Sequence, residues 1–118
     1  MSVSDVLFKR LRNLHADVIE TKTDLSRRLS EYDREVSAIY HELENDNFGV
    51  LGGYRYAKRL QDALQKRRII KHEMDRFSPV LHMIADGFPQ VEKGFRKRTR
   101  AVNRLRRVFK IKLTIDNI

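Results

Sequence analysis

The sequence predicts an all-α protein: one long antiparallel helical hairpin, a shorter basic C-terminal helix packed on its open end, and a short extended tail. Three observations carry that expectation. Apolar residues recur at the α-helical period through two long segments, a glycine-rich break separates the segments, and nearly all the excess positive charge falls in the last quarter of the chain.

The first segment opens with Ser2 and, three residues on, Asp5, the pattern of a capping box, with Ser4 a second candidate cap. Apolar or near-apolar residues then fall at Leu7, Leu11, Leu14, Val18, Thr21, Leu25, Leu29, Tyr32, Val36, Ile39 and Leu43. The mean step is about 3.6 residues, the repeat of a straight α-helix. Lys9, Arg10, Arg12, Asp17, Arg27, Arg28 and Arg34 fill the other faces, as a solvated surface requires. A helix over about 3–46 follows.

Residues 47–53 form the clearest break: Asn47, Gly49, Gly52 and Gly53 supply backbone that readily leaves the helical region. A second stripe then runs through Tyr56, Leu60, Ala63, Arg67, Ile70, Met74, Phe77, Leu81, Ile84 and Phe88, in steps of four and three. Facing residues of an antiparallel pair have a constant sum of residue numbers. Ile39 with Ala63, Tyr32 with Ile70 and Val18 with Ile84 each sum to 102. Both stripes thus come into register about one short turn. Pro79 lacks an N–H and disfavours helix at Ser78, so the second helix, over about 54–85, is expected to be kinked or broken there. Inward-facing Arg67 should meet Glu31 or Glu35.

Asp86-Gly87-Phe88-Pro89 reads as a turn, with Pro89 opening a last helix over about 89–109. Its apolar face, Val91, Phe95, Val102, Leu105 and Phe109, should pack on the off-stripe residues Val6, Phe8, Ile19, Val80 and Met83. The half of the hairpin near the glycines would then have two helices only, with Tyr40, Tyr54 and Ile69 beside the seam, which favours a homodimer. In the tail, 110–118, Ile111, Leu113 and Ile115 alternate with polar residues, a strand pattern suited to a partner's sheet.

At 118 residues the chain is expected to be a single domain. With 41% hydrophobic and 35% charged residues it is neither a membrane protein nor a low-hydrophobicity disordered chain. No apolar run approaches the roughly 18 residues of a membrane span, and Met1-Ser2-Val3-Ser4-Asp5 does not begin a secretory signal. A cytoplasmic location fits a chain without cysteine. Without cysteine there is neither disulfide nor thiolate metal site, and His15, His41, His72 and His82 show no metal-ligand spacing. No cofactor motif and no nucleophile–base arrangement is visible, so the sequence predicts no enzyme. Gly49–Gly53 lacks the Gly-Lys-Ser/Thr ending of a phosphate-binding P-loop and reads as a helical turn.

The net charge of +9 is localised. Residues 1–92 hold 15 basic and 15 acidic side chains, whereas residues 93–112 hold ten basic ones and no acid. Arg96, Arg100, Arg104 and Arg107 recur at helical spacing along one face; Lys93, Lys97, Arg98 and Arg106 widen the basic surface. Such a row can neutralise successive phosphates and release their counterions, and arginine suits bidentate phosphate contacts. The run from Arg96 to Val108 resembles arginine-rich RNA-binding helices in composition. The sequence therefore predicts a non-catalytic module binding DNA or RNA through these eight residues. The alternatives are an adaptor or inhibitor docking an acidic protein through the basic helix and Ile111, Leu113 and Ile115, or a structural homo-oligomer.

Overall fold

The computed structural model describes residues 2–118. It contains two α-helices, α1 (Val3–Asn45) and α2 (Val50–Val108), and one 3-10 turn at Ile115–Asn117, with no strand among the described residues. A four-residue connection reverses the chain between α1 and α2, giving a helical hairpin. Packing falls into two compact units, Thr21–Pro79 and Met1–Glu20 with Val80–Ile118.

Helix α1 is capped by Ser2. The Asp5 amide donates to Ser2 Oγ at 3.1 Å, and Ser2 Oγ donates to Asp5 Oδ2 at 2.8 Å. This satisfies one of the free amides of the first turn. Within Thr21–Pro79 the buried residues are Leu25, Ile39, Ala63 and Ile70; Ile39 and Ala63 are wholly enclosed. All four lie on the apolar stripes, and burial of each large aliphatic side chain contributes about 1.5–3 kcal/mol. Contacts across this pair keep the expected register. Tyr56 Oη donates to Asp46 Oδ2 at 2.6 Å, and Arg59 Nη1 bonds Glu42 Oε2 at 2.6 Å, pairs summing to 102 and 101.

The turn is tighter than the sequence suggests. Helix α2 begins at Val50, so Gly52 and Gly53 are helical, and no glycine among the described residues has a positive φ. Gly52 is small for another reason. A Cβ there would lie 2.9 Å from Phe48 Cβ, and one on Gly53 would lie 3.4 Å from the Phe48 ring. Phe48 lies against these glycines and meets the Tyr56 ring edge-on at 5.3 Å. Arg67 pairs with Asp33, not with Glu31 or Glu35.

In the other unit Val18, Ile84 and Phe88 are buried. Four rings form a column: Phe95 stacks on Phe8 at 4.3 Å, Phe8 on Phe88 at 6.0 Å, and Phe88 on His15 at 4.5 Å.

Helix α2 runs through Pro79, Gly87 and Pro89 without interruption, so no separate helix begins at Pro89. Each proline removes one i→i−4 hydrogen bond, to the carbonyl of Asp75 or Ala85. Ile84 and Phe88, on the apolar stripe between the two prolines, are buried, and Phe95 stacks on Phe8, contacts that a break at Pro89 would disturb. The third helix expected on the hairpin is therefore not a distinct element: α2 itself continues beside the first turns of α1. Ile19, Val80 and Met83, expected beneath that helix, are exposed, and Phe8 is engaged in the ring column. Tyr40, Tyr54 and Ile69 are also exposed.

The tail is not extended throughout. Lys110 adopts a left-handed φ of 52° and closes α2 in a Schellman turn. The Ile111 amide donates to the Arg106 carbonyl at 2.9 Å, and the Lys110 amide to that of Arg107 at 3.3 Å. Thr114 then caps the 3-10 turn, its amide and hydroxyl both donating to Asn117 Oδ1. Local side-chain bonding of this kind competes with strand formation, and the alternating residues have no strand to join.

Candidate nucleic-acid interface

The basic segment is the last part of α2. The ring contacts of Phe8 with Phe95 and His15 with Phe88 sum to 103. Val3, the first residue of α1, therefore lies opposite about Thr99 or Arg100. The two and a half turns that follow, about 13 Å of helix, lie beyond the register position of Val3. They carry Arg104, Arg106 and Arg107.

At 3.6 residues per turn the eight predicted basic residues separate onto two sides. Lys93, Arg96, Lys97, Arg100, Arg104 and Arg107 share the outward side, and all six are exposed. Lys97, Arg100, Arg104 and Arg107 lie together on the open surface of α2. Arg98 and Arg106 lie on the opposite side, in a groove of about 600 Å³ shared with Ser2, Asp5, Val102 and the 3-10 turn. Arg106 is half-buried there. The structure thus brings six of the eight together and sets two apart.

Several cations nearer the hairpin turn are paired with carboxylates. Arg27 bonds Asp24 at 2.7 Å and Glu31 at 2.6 Å, and these bonds, the one to Asp24 most, raise its pKa above the usual guanidinium value. Asp62 holds Lys66 at 2.9 Å and raises its pKa. Arg59 likewise pairs with Glu42. Of the eight C-terminal residues, Arg96 alone is paired with a carboxylate among the described residues, Glu92 at 3.4 Å. Arg98 and Arg106 share their groove with Asp5 and Asp116.

The apolar residues of this end are also open. Val102, Leu105 and Phe109 are exposed, as are Ile111, Leu113 and Ile115. These last three do not form one strand edge, since Ile115 enters the 3-10 turn.

Sequence reasoning missed one feature. Phe8, Arg12, Phe95, Arg96, Thr99 and Arg100 line a cavity of about 330 Å³ between the start of α1 and α2. The register sum, extended to Phe8 and Phe95, would have revealed their pairing; Phe8 stood off the main stripe and Arg12 read as ordinary surface charge.

No group of three or more His, Asp or Glu side chains among the described residues could hold a metal ion. Among the described residues, no helix is long and apolar enough to cross a membrane. No protein-family model, curated protein or solved structure matches the chain.

Proposed function

We propose that the protein is a nucleic-acid-binding helical module that contacts phosphates through the outward side of α2, chiefly Arg96, Arg100, Arg104 and Arg107, with Lys93 and Lys97 beside them. The supporting observation is the concentration of charge: residues 1–92 balance their charges, whereas this row, in which Arg96 alone is paired with a carboxylate among the described residues, adds six cations. Uncompensated cations at helical spacing repel one another, and a polyphosphate relieves that repulsion while releasing counterions. Arg98 and Arg106, on the other side, add to the field rather than to the contact row.

The test is fluorescence anisotropy with labelled DNA and RNA across a salt series. The comparison is with a variant carrying Arg96→Ala, Arg100→Ala, Arg104→Ala and Arg107→Ala. Weaker binding with a shallower salt dependence is expected; for duplex DNA each lost phosphate contact lowers the logarithmic slope by about 0.9. Equal binding by the two proteins, or no binding by the intact chain at low salt, would sink the reading.

The exposed Val102, Leu105 and Phe109, continued by Ile111, favour a second reading. An apolar strip flanked by arginines suits an acidic amphipathic helix of a protein partner. Nuclease-resistant recovery of one acidic protein in fixed ratio, abolished by Leu105→Asp, would support it.

A further inference from the structure

We infer that the cavity lined by Phe8, Phe95 and Thr99 receives an unpaired nucleobase, so that the nucleic acid bound by α2 is single-stranded where it crosses the start of α1. This rests on the nucleic-acid reading above and specifies the form of the ligand.

The ring column supplies the platform. Phe95 is its terminal member, nearly parallel to Phe8 at 8° between planes and 4.3 Å between centroids, and no other ring of the described residues stacks on it. Phe8 and Phe95 are half-buried and both line the cavity. A volume of about 330 Å³ lies at the lower end of small-ligand pockets and is mostly apolar in lining. Any base can stack on a phenylalanine face, which makes such a platform tolerant of sequence.

Three arginines complete the lining, Arg12 from α1 and Arg96 and Arg100 from α2, and Arg96 is also paired with Glu92 at 3.4 Å. Arg96 and Arg100 also belong to the outward row, which continues through Arg104 and Arg107. The cavity therefore opens at the end of the cationic row, and a strand whose phosphates follow the row brings a base to the rings. Thr99 offers the one hydroxyl among the lining residues, able to bond a base edge. Bases paired inside a duplex cannot reach the cavity, because their faces are covered by their neighbours. Arg12 thereby acquires a role that its place on α1 did not announce.

The experiment measures binding of the full chain to three labelled probes: a single-stranded oligonucleotide, the same sequence as a duplex, and inorganic polyphosphate. The single strand also carries 2-aminopurine, whose fluorescence falls when it stacks. The intact protein should quench the 2-aminopurine and prefer the single strand. Phe95→Leu keeps an apolar side chain while removing the ring face; it should weaken single-strand binding by roughly tenfold, within the range for loss of one stacked base. It should also abolish quenching and leave duplex and polyphosphate binding unchanged. Arg12→Ala, at an exposed position that does not disturb the ring column, should weaken single-strand binding and reduce quenching, and keeps the test open should Phe95→Leu unfold. Single-strand, duplex and polyphosphate binding of equal strength, or quenching unaltered by either substitution, would overturn the inference while leaving the phosphate-binding role of α2 standing. No binding to any probe would overturn both.

Discussion

Gly52 shows how one missing methyl group can decide a turn. Alanine is favoured over glycine inside a helix by about 1 kcal/mol, yet a Cβ at Gly52 meets Phe48 at 2.9 Å. The obstacle is Phe48 Cβ, fixed to the backbone, so the turn itself must shift. Gly52→Ala is therefore expected to lower the urea midpoint, whereas Gly94→Ala, where nothing lies within 4 Å, should raise stability by about 0.5–1 kcal/mol. A rise for both would show that Phe48 does not hold the turn. The Glu42–Arg59 bridge sets a second expectation. The hydrogen bond from Arg59 holds the Glu42 carboxyl below its usual value, outweighing the small upward effects of desolvation and Asp46. A depressed folded-state pKa means that the bridge stabilises the fold above the ordinary carboxylate range and ceases to do so as pH falls through the folded value. The melting temperature of Glu42→Gln should thus fall less steeply on acidification than that of the native chain; parallel curves would show that the bridge is inert.

At the scale of the element, α2 was legible in its buried face and misleading at its ends. All seven buried residues among those described, Val18, Leu25, Ile39, Ala63, Ile70, Ile84 and Phe88, lie on the two apolar stripes read from the sequence. Burial follows periodicity because only one side of each helix meets the other. The break expected at Asp86-Gly87-Phe88-Pro89 rested on local preference, and tertiary contact overrides it. Phe88 and Phe95 both stack against Phe8, and a turn between them would part the rings. The same competition left the aromatic cavity unread, since it depends on which turn of α1 lies across from Phe95. The tail erred the opposite way: Ile111, Leu113 and Ile115 alternate like a strand, but Thr114 and Asn117 bond each other and close a turn. If α2 is held through Pro89 by packing, the proline is a tolerated defect. Pro89→Ala restores a donor to the Ala85 carbonyl at an exposed position, and stability should increase by about 1–3 kcal/mol. A lower urea midpoint would mean that the pyrrolidine ring itself supports the helix.

Across the whole molecule the charge distribution predicts an unusual response to salt. Two electrostatic effects oppose each other. Exposed ion pairs such as Arg27 with Asp24 and Glu31, or Lys66 with Asp62, weaken on screening, but each contributes only about 0–1 kcal/mol. The ten cations between Lys93 and Lys112 repel one another, and among the described residues Arg96 alone of the eight on α2 is paired with a carboxylate. Their repulsion acts over several turns of one helix, a distance that matters when the Debye length is about 30 Å at 0.01 M and vanishes as it shrinks to about 8 Å at 0.15 M. Repulsion should prevail, so the melting temperature is expected to rise with sodium chloride over this interval. In the variant with alanine at Arg96, Arg100, Arg104 and Arg107, that rise should be largely lost, because the most closely spaced charges are gone. A melting temperature that falls with salt in the native chain would mean that the scattered ion pairs outweigh the basic row. The row would then store no repulsion for a polyanion to relieve, and the strongest physical support for a phosphate-binding surface on α2 would be removed.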